Sequence, residues 1–248
     1  MALHGGQTSS LGMKGQFAAT RWSVVVAAAD QQAGTRSRRA LEELAAIYWF
    51  PLYAYIRRQG SPPEQAEDLT QEFFTRLLEK KSLATVDRDK GKFRSFLLAS
   101  LKHFLANERD KARAKKRGGG AVPLTLDIGT AEARYSTDPV DDLTPERLFE
   151  RRWAVAVLDQ VVERLRQEYA DRGQGKVFDA LSGCLTGETD AAARARLARR
   201  LEMTEGAVNV AVHRLRRRYR KTLRDEIAQT VAAPELVEEE IQYLLRCL

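Results

Sequence analysis

Apolar residues in this chain recur at spacings of three and four along nearly its whole length. Leu41, Leu44, Ile47 and Tyr48 keep that rhythm, as do Leu69, Phe73, Leu77 and Leu78. Phe93, Phe96, Leu97, Leu101, Phe104 and Leu105 form a third such stripe, and Trp153, Val157, Leu158, Val161, Val162 and Leu165 a fourth. This period places side chains on one face of a helix, whereas a half-buried strand would alternate. Only Val122 to Ile128 comes near alternation. The chain is therefore expected to be all-α. Its 248 residues, 44 % of them apolar, suit one large domain or two small ones with real cores.

Punctuation divides the stripes. The first sixteen residues are rich in Gly and Ser, and a short helix is expected after Thr20 with Trp22, Val25 and Val26 inward. A long helical stretch runs from Ser37 to Gln59, interrupted by Pro51 and ended by Gly60. Ser61-Pro62-Pro63-Glu64 starts the next helix, with Ser as cap and Glu three residues on. Asp87 to Lys92 reads as a charged turn, and a helix follows from Phe93 past Asn107. Gly118-Gly119-Gly120 stops it, and the segment to Leu143, rich in Gly, Thr, Asp and Pro, reads as a linker. Thr144-Pro145-Glu146 opens a second helical unit. Its later helices are expected over Val177–Leu185, Ala191–Leu201, Glu205 to about Val231, and from Pro234 to the end. The expected organisation is an N-terminal extension over 1–36, a first helical domain over 37–118, a linker over 119–143, a second domain over 144–231 with a helix-turn-helix at about 191–220, and an acidic C-terminal helix over 232–248.

Three clusters can carry function. The first is the helix pair around Met203-Thr204. A turn of about three residues separates Leu201 from a helix capped by Thr204, and Val208, Val212, Leu215 and Tyr219 keep that helix apolar inward. Asn209, His213, Arg214, Arg217 and Arg218 point elsewhere. From Arg194 to Arg224 the only acids are Glu202 and Glu205. A helix-turn-helix presents its second helix to the major groove in this way, where Asn and Arg read base edges and further cations hold phosphates. A plain hairpin with a solvated basic face would share the apolar spacing but has no need of such basic density. Glu202 stands where the turn favours Gly, and a left-handed Glu costs roughly 1 kcal/mol, so a different turn geometry is expected there.

The second cluster is the basic helix end from Asn107 through Arg109, Lys111, Arg113, Lys115 and Lys116 to Arg117. So dense a cluster repels itself without an anion beside it. The aromatics before it suit melted DNA, where bases stack, although Phe at helical spacing is usually core. The third is Glu67-Asp68-Leu69-Thr70-Gln71-Glu72-Phe73-Phe74. Its carboxylates could serve a metal-dependent nuclease, but no His or Asp motif with ligand spacing joins them, and a charged protein-contact face is the better reading. No catalytic residue, metal ligand or cofactor is assigned. Cys184 and Cys247 are far apart, and no Cys/His cluster exists, which argues against a disulfide framework or a zinc site. With no apolar run of membrane-spanning length and no signal-peptide pattern, a cytoplasmic protein without membrane insertion is expected. The net charge of +7 fits an anionic partner.

Taken in order, the motifs resemble those of sigma-70 family RNA polymerase sigma factors, of the small extracytoplasmic-function (ECF) type. Tyr53-x-Tyr55 and Glu67-Asp68-Leu69-Thr70-Gln71-Glu72-Phe73-Phe74-x-Arg76-Leu77-Leu78 are similar to regions 2.1 and 2.2. Phe93-Arg94-Ser95-Phe96-Leu97 through Asn107 is similar to regions 2.3 and 2.4, and Thr204-Glu205-Gly206-Ala207-Val208 with His213-Arg214-Leu215-Arg216 to region 4.2. The resemblance implies a helical bundle and a helix-turn-helix joined by a flexible linker, acting not as an enzyme but as a transcription initiation subunit. It implies that Glu67, Asp68, Gln71 and Glu72 contact core RNA polymerase, through the beta-prime clamp helices, with further contact to the beta subunit. Lys102, Asn107, Arg109, Arg113, Lys115, Lys116 and Arg117 would lie at the minus-ten promoter element, which the protein helps to melt. Thr204, Asn209, His213, Arg214, Arg217 and Arg218 would lie at the minus-thirty-five element. An anti-sigma factor is a further implied partner. The alternative is a stand-alone helix-turn-helix regulator that works without the polymerase. The acidic tail, with Glu235, Glu238, Glu239 and Glu240 on one side and Leu236, Val237, Ile241, Leu244 and Leu245 on another, is expected either to complete the core or to mask the basic DNA-binding helix.

Overall fold

Eight α-helices carry the fold in this computed structural model, which describes residues 35–79, 92–114, 132–133, 135, 143–187 and 190–248, with side chains from residue 44 onward except 78–79 and 112–114. They are α1 (Thr35–Arg58), α2 (Pro63–Glu79), α3 (Phe93–Ala114), α4 (Pro145–Ala170), α5 (Gly175–Leu181), α6 (Ala191–Leu201), α7 (Glu205–Ala228) and α8 (Val237–Arg246). Short 3-10 turns, Ser182–Cys184 and Pro234–Leu236, follow α5 and precede α8. No strand occurs among the described residues, so the chain is all-α. The expected helix near Trp22, the turn at Asp87 and the stretch Val122–Ile128 lie outside the described residues.

Pro51 lies inside α1, and the helix continues through it. Lacking an N–H, Pro51 cannot bond the Ile47 carbonyl, yet burial keeps the helix whole. From Leu44 to Ile56 almost every residue of α1 is buried, including Trp49, Tyr53 and Ala54, which lie off the expected stripe. A helix apolar on all sides must be covered on all sides. Here α2 and α3 cover one flank and α4 the other, and the α1–α4 contact is the most extensive in the fold. At the start of α2 the first backbone bond runs from the Ala66 N–H to the Pro62 carbonyl, while the Ser61 carbonyl accepts from Arg57. The N-terminus of α4 follows the expected pattern, with Pro145 in the first turn and the Thr144 hydroxyl accepting from the Arg147 N–H. Trp153, Val157, Val161 and Leu165 are buried along it, with Leu158 and Val162 half-buried.

The C-terminal helix corrects one reading. Glu240 does not share the solvent face of its acidic neighbours; it is 1 % exposed, and Leu244 beside it is fully buried. Leu236 and Leu245, expected inward, are exposed. The buried side runs through Val237, Glu240, Ile241 and Leu244, one helical step away from the charge-based assignment. This helix packs on α7 and α4.

Candidate polymerase and nucleic-acid interface

On α2 the inward side is fixed by small and aromatic residues. Ala66 and Thr70 are fully buried, the Thr70 hydroxyl donating to the Ala66 carbonyl at 2.6 Å. Phe73, Phe74 and Leu77 follow, with the Phe73 ring 5.7 Å from Phe104 of α3. This leaves Asp68 exposed and Glu67, Gln71 and Glu72 half-exposed on the outer side. All four expected contact residues therefore share an accessible face. Burial first, and then the neighbouring carboxylates of Asp68 and Glu64, hold the Glu67 carboxyl above its ordinary range. Glu72 pairs with Arg76 one turn on, and Arg76 reaches Glu108 of α3 at 2.6 Å, stacked 4.9 Å over the Phe104 ring. Glu108 in turn takes Lys111 at 3.0 Å. Burial alone would raise the Glu108 carboxyl, but Lys111 and Arg76 outweigh it and leave it below the ordinary range. Opposite charges thus run without a break from the acidic face of α2 to the basic end of α3.

Along α3, Lys102, Asn107 and Arg109 are exposed, while the side chain of Arg113 and residues Lys115, Lys116 and Arg117 lie outside the described residues. Phe93 and Phe104 are core residues, so of this aromatic set only Phe96 is partly open to solvent. A groove of about 230 Å³ between α2 and α3 is lined by Phe73, Arg76, His103, Phe104 and Asn107. Lys102 is drawn to Glu146 of α4 at 2.7 Å, and Arg109 to Gln59 at the end of α1.

The α6–α7 pair has helix-turn-helix form. Asp190 caps α6 by accepting from the Ala193 N–H at 2.6 Å, and Ala198 is buried in the α6–α7 pair. The turn keeps the left-handed geometry after all. Glu202 sits at φ 54°, ψ 42°, and the Met203 N–H closes back on the Ala198 carbonyl at 2.9 Å. That closure bonds a carbonyl the helix end leaves open, which offsets the cost of a non-glycine residue there. Thr204 then caps α7, its hydroxyl accepting from the Ala207 N–H at 3.1 Å. Val208, Val212 and Leu215 face inward, while Asn209, His213, Arg214 and Arg217 lie together on the exposed face. Two arginines in the same helix are engaged elsewhere. Arg218 pairs with Glu168 of α4 at 2.7 Å, and Arg216 donates to the Cys184 and Gly187 carbonyls. The acidic tail does not cover this face. Its Glu238 meets Arg224, far down α7, and Glu240 turns away to Lys92 and Arg94 at the start of α3.

The contacts missed from sequence are Arg76, Glu108, Arg94 and Glu240. Charge alone marks all four as surface, and the signal for a buried partner lies in residues distant along the chain. Among the described residues, no group of three or more His, Cys, Asp or Glu is placed to hold a metal ion, and no helix is long and apolar enough to cross a membrane. No curated protein and no solved structure matches the chain. Residues 51–115, which span the last third of α1 with α2 and α3, match the family model for sigma-70 region 2. The chain thus carries a stretch similar to sigma-70 region 2.

Proposed function

We propose that this protein is a sigma factor of the extracytoplasmic-function type, which binds core RNA polymerase and directs it to promoters in the cytoplasm. The observation that carries the proposal is the region 2 match over 51–115, followed in the same chain by a capped helix-turn-helix with an open basic face. The accessible row Glu67, Asp68, Gln71 and Glu72 is the polymerase contact. Lys102, Asn107, Arg109 and Arg113, with Lys115, Lys116 and Arg117, receive the minus-ten element and favour its melted form. Thr204, Asn209, His213, Arg214 and Arg217 meet the minus-thirty-five element, where Thr204 acts through the cap that positions the helix. Arg218, tied to Glu168, serves this reading only if that pair opens. The chain does no covalent chemistry; polymerase adds the nucleotides. An anti-sigma factor that grips the two halves is a fitting regulator.

The deciding experiment is binding of the full chain to sigma-free core polymerase, beside the variant Asp68→Ala, Glu72→Ala. The expected result is tight binding by the wild type and a loss of tenfold or more in the variant, with helix content unchanged. Absence of polymerase binding with duplex binding intact would refute the proposal and favour a stand-alone regulator.

A further inference from the structure

Val210 stands out on α7. It is 50 % exposed, and the other exposed large apolar residues among those described, Leu236, Leu245 and Leu248, all lie in the C-terminal segment. At 100° per residue, Val210 falls opposite the buried line of Val208, Val212 and Leu215, in the middle of the face that carries His213, Arg214 and Arg217. A branched apolar side chain in solvent at the centre of a basic face gains nothing from water. Against a major groove it meets the one apolar group on a base edge, the thymine 5-methyl. We infer that Val210 is a specificity-determining residue that reads a thymine methyl in the upstream element. This rests on the proposed duplex-reading role of α7.

The test selects a duplex for the full chain from a randomised library, then replaces each thymine singly by deoxyuridine, which removes only the methyl. One position is expected to cost the wild type about three- to fivefold in affinity, the worth of one buried methyl, and to cost Val210→Ala nothing. A selected site without a sensitive thymine, or equal sensitivity in Val210→Ala, overturns the inference and leaves duplex reading intact. Failure to select any duplex overturns both.

A second inference comes from the junction of the two halves. Glu240 of α8, 1 % exposed, receives both Lys92 and Arg94 from the start of α3. The Arg94 guanidinium lies between the rings of Trp153 (4.2 Å) and Tyr243 (4.6 Å), so α3, α4 and α8 meet at one buried cation. Nearby, Glu146 holds Lys102, Glu132 holds Arg57 at 2.8 Å, and the Leu143 carbonyl accepts from Arg58 at 3.0 Å. Three cations of the N-terminal half are thus occupied by carboxylates of the C-terminal half, and two more by oxygens of the stretch between them, in the manner of phosphates. Promoter elements about 25 base pairs apart lie ~85 Å apart at ~3.4 Å per pair, a span that two halves in direct contact cannot reach. Residues 115–144, fully extended, reach roughly 100 Å. We propose that α8, acting with the α1–α4 contact, is a latch that holds the chain closed, and that engaging both promoter elements at once requires its release.

Small-angle scattering and core-polymerase binding, run on wild type and Glu240→Gln with helix content checked by circular dichroism, test the latch. The variant is expected to gain several ångströms in radius of gyration and to keep its binding to core polymerase. An unchanged radius with helices intact overturns the latch, whatever the polymerase does. A larger radius without polymerase binding keeps the latch and overturns the sigma reading instead. Should Glu240→Gln lose helix, the same comparison on the half-exposed Glu146→Gln decides, with a smaller shift in the same direction.

Discussion

Lys102 and Glu146 illustrate how a single exposed pair can report on the whole arrangement. The bond from Lys102 is the main cause that holds the Glu146 carboxyl below its ordinary 4.5, and the same bond raises the Lys102 amine above its ordinary 10.5. A depressed carboxyl contributes stability above its unfolded value and loses it as pH falls through the folded one. A raised amine contributes below its unfolded value and loses it as pH rises through the folded one. The pair therefore supports closure between those limits and fails outside them, weakly, because both side chains are nearly half-exposed. A carbon-13 NMR titration is expected to show the Glu146 midpoint rise in Lys102→Met; identical midpoints would disprove the contact. Cys247 is a second reporter. Burial, then the nearby Glu150 carboxylate, pushes its thiol above the ordinary 9.0, so alkylation at pH 7 is expected to be slow and to accelerate in Glu240→Gln. Equal rates would speak against opening.

At the scale of the element, helix boundaries were readable because caps and breakers are local. Thr144 and Thr204 cap where their sequence context says they should. The Asn209, His213, Arg214, Arg217 face was readable as well, since one helix fixes it. What was not readable is which charged residues become buried. Glu240 and Glu239 are neighbours of the same type; Glu240 shares the inward line of Val237 and Leu244, and Arg94, 146 residues away, supplies the partner its charge needs there. The turn before α7 is a different case, since the Met203-to-Ala198 closure that accompanies a left-handed Glu202 is a local helix-end bond. Glu202→Gly is expected to stabilise the protein by about 1 kcal/mol, a rise of roughly 2–4 °C in melting temperature for a chain of this size. No rise in calorimetry would mean that the glutamate side chain has a compensating contact. On α7 itself, Arg217→Ala is expected to lower the slope of log affinity against log salt by about 1, as one phosphate contact requires. An unchanged slope would remove Arg217 from the interface.

For the molecule as a whole, the contact between α1 and α4 decides the cooperative unit. A helix buried over nearly its whole circumference is shared property. Neither the α2–α3 flank nor the α4 flank can leave without exposing Leu44, Tyr48 or Phe50 of α1, and Arg152 of α4 lies 4.9 Å over the Phe50 ring. Calorimetry of the wild type is expected to show one unfolding transition spanning both halves; two resolved transitions would show that the halves melt independently. The buried Arg94–Glu240 bond also carries a genetic consequence. Arg94 lies in the stretch matched to region 2, while Glu240 lies beyond it. Loss of Glu240 removes only restraint, and loss of Arg94 removes restraint together with a cation from the working half. A selection for unprompted promoter activity would therefore collect changes at Glu240 and avoid Arg94, so that the two ends of one bond carry mutations of opposite sign.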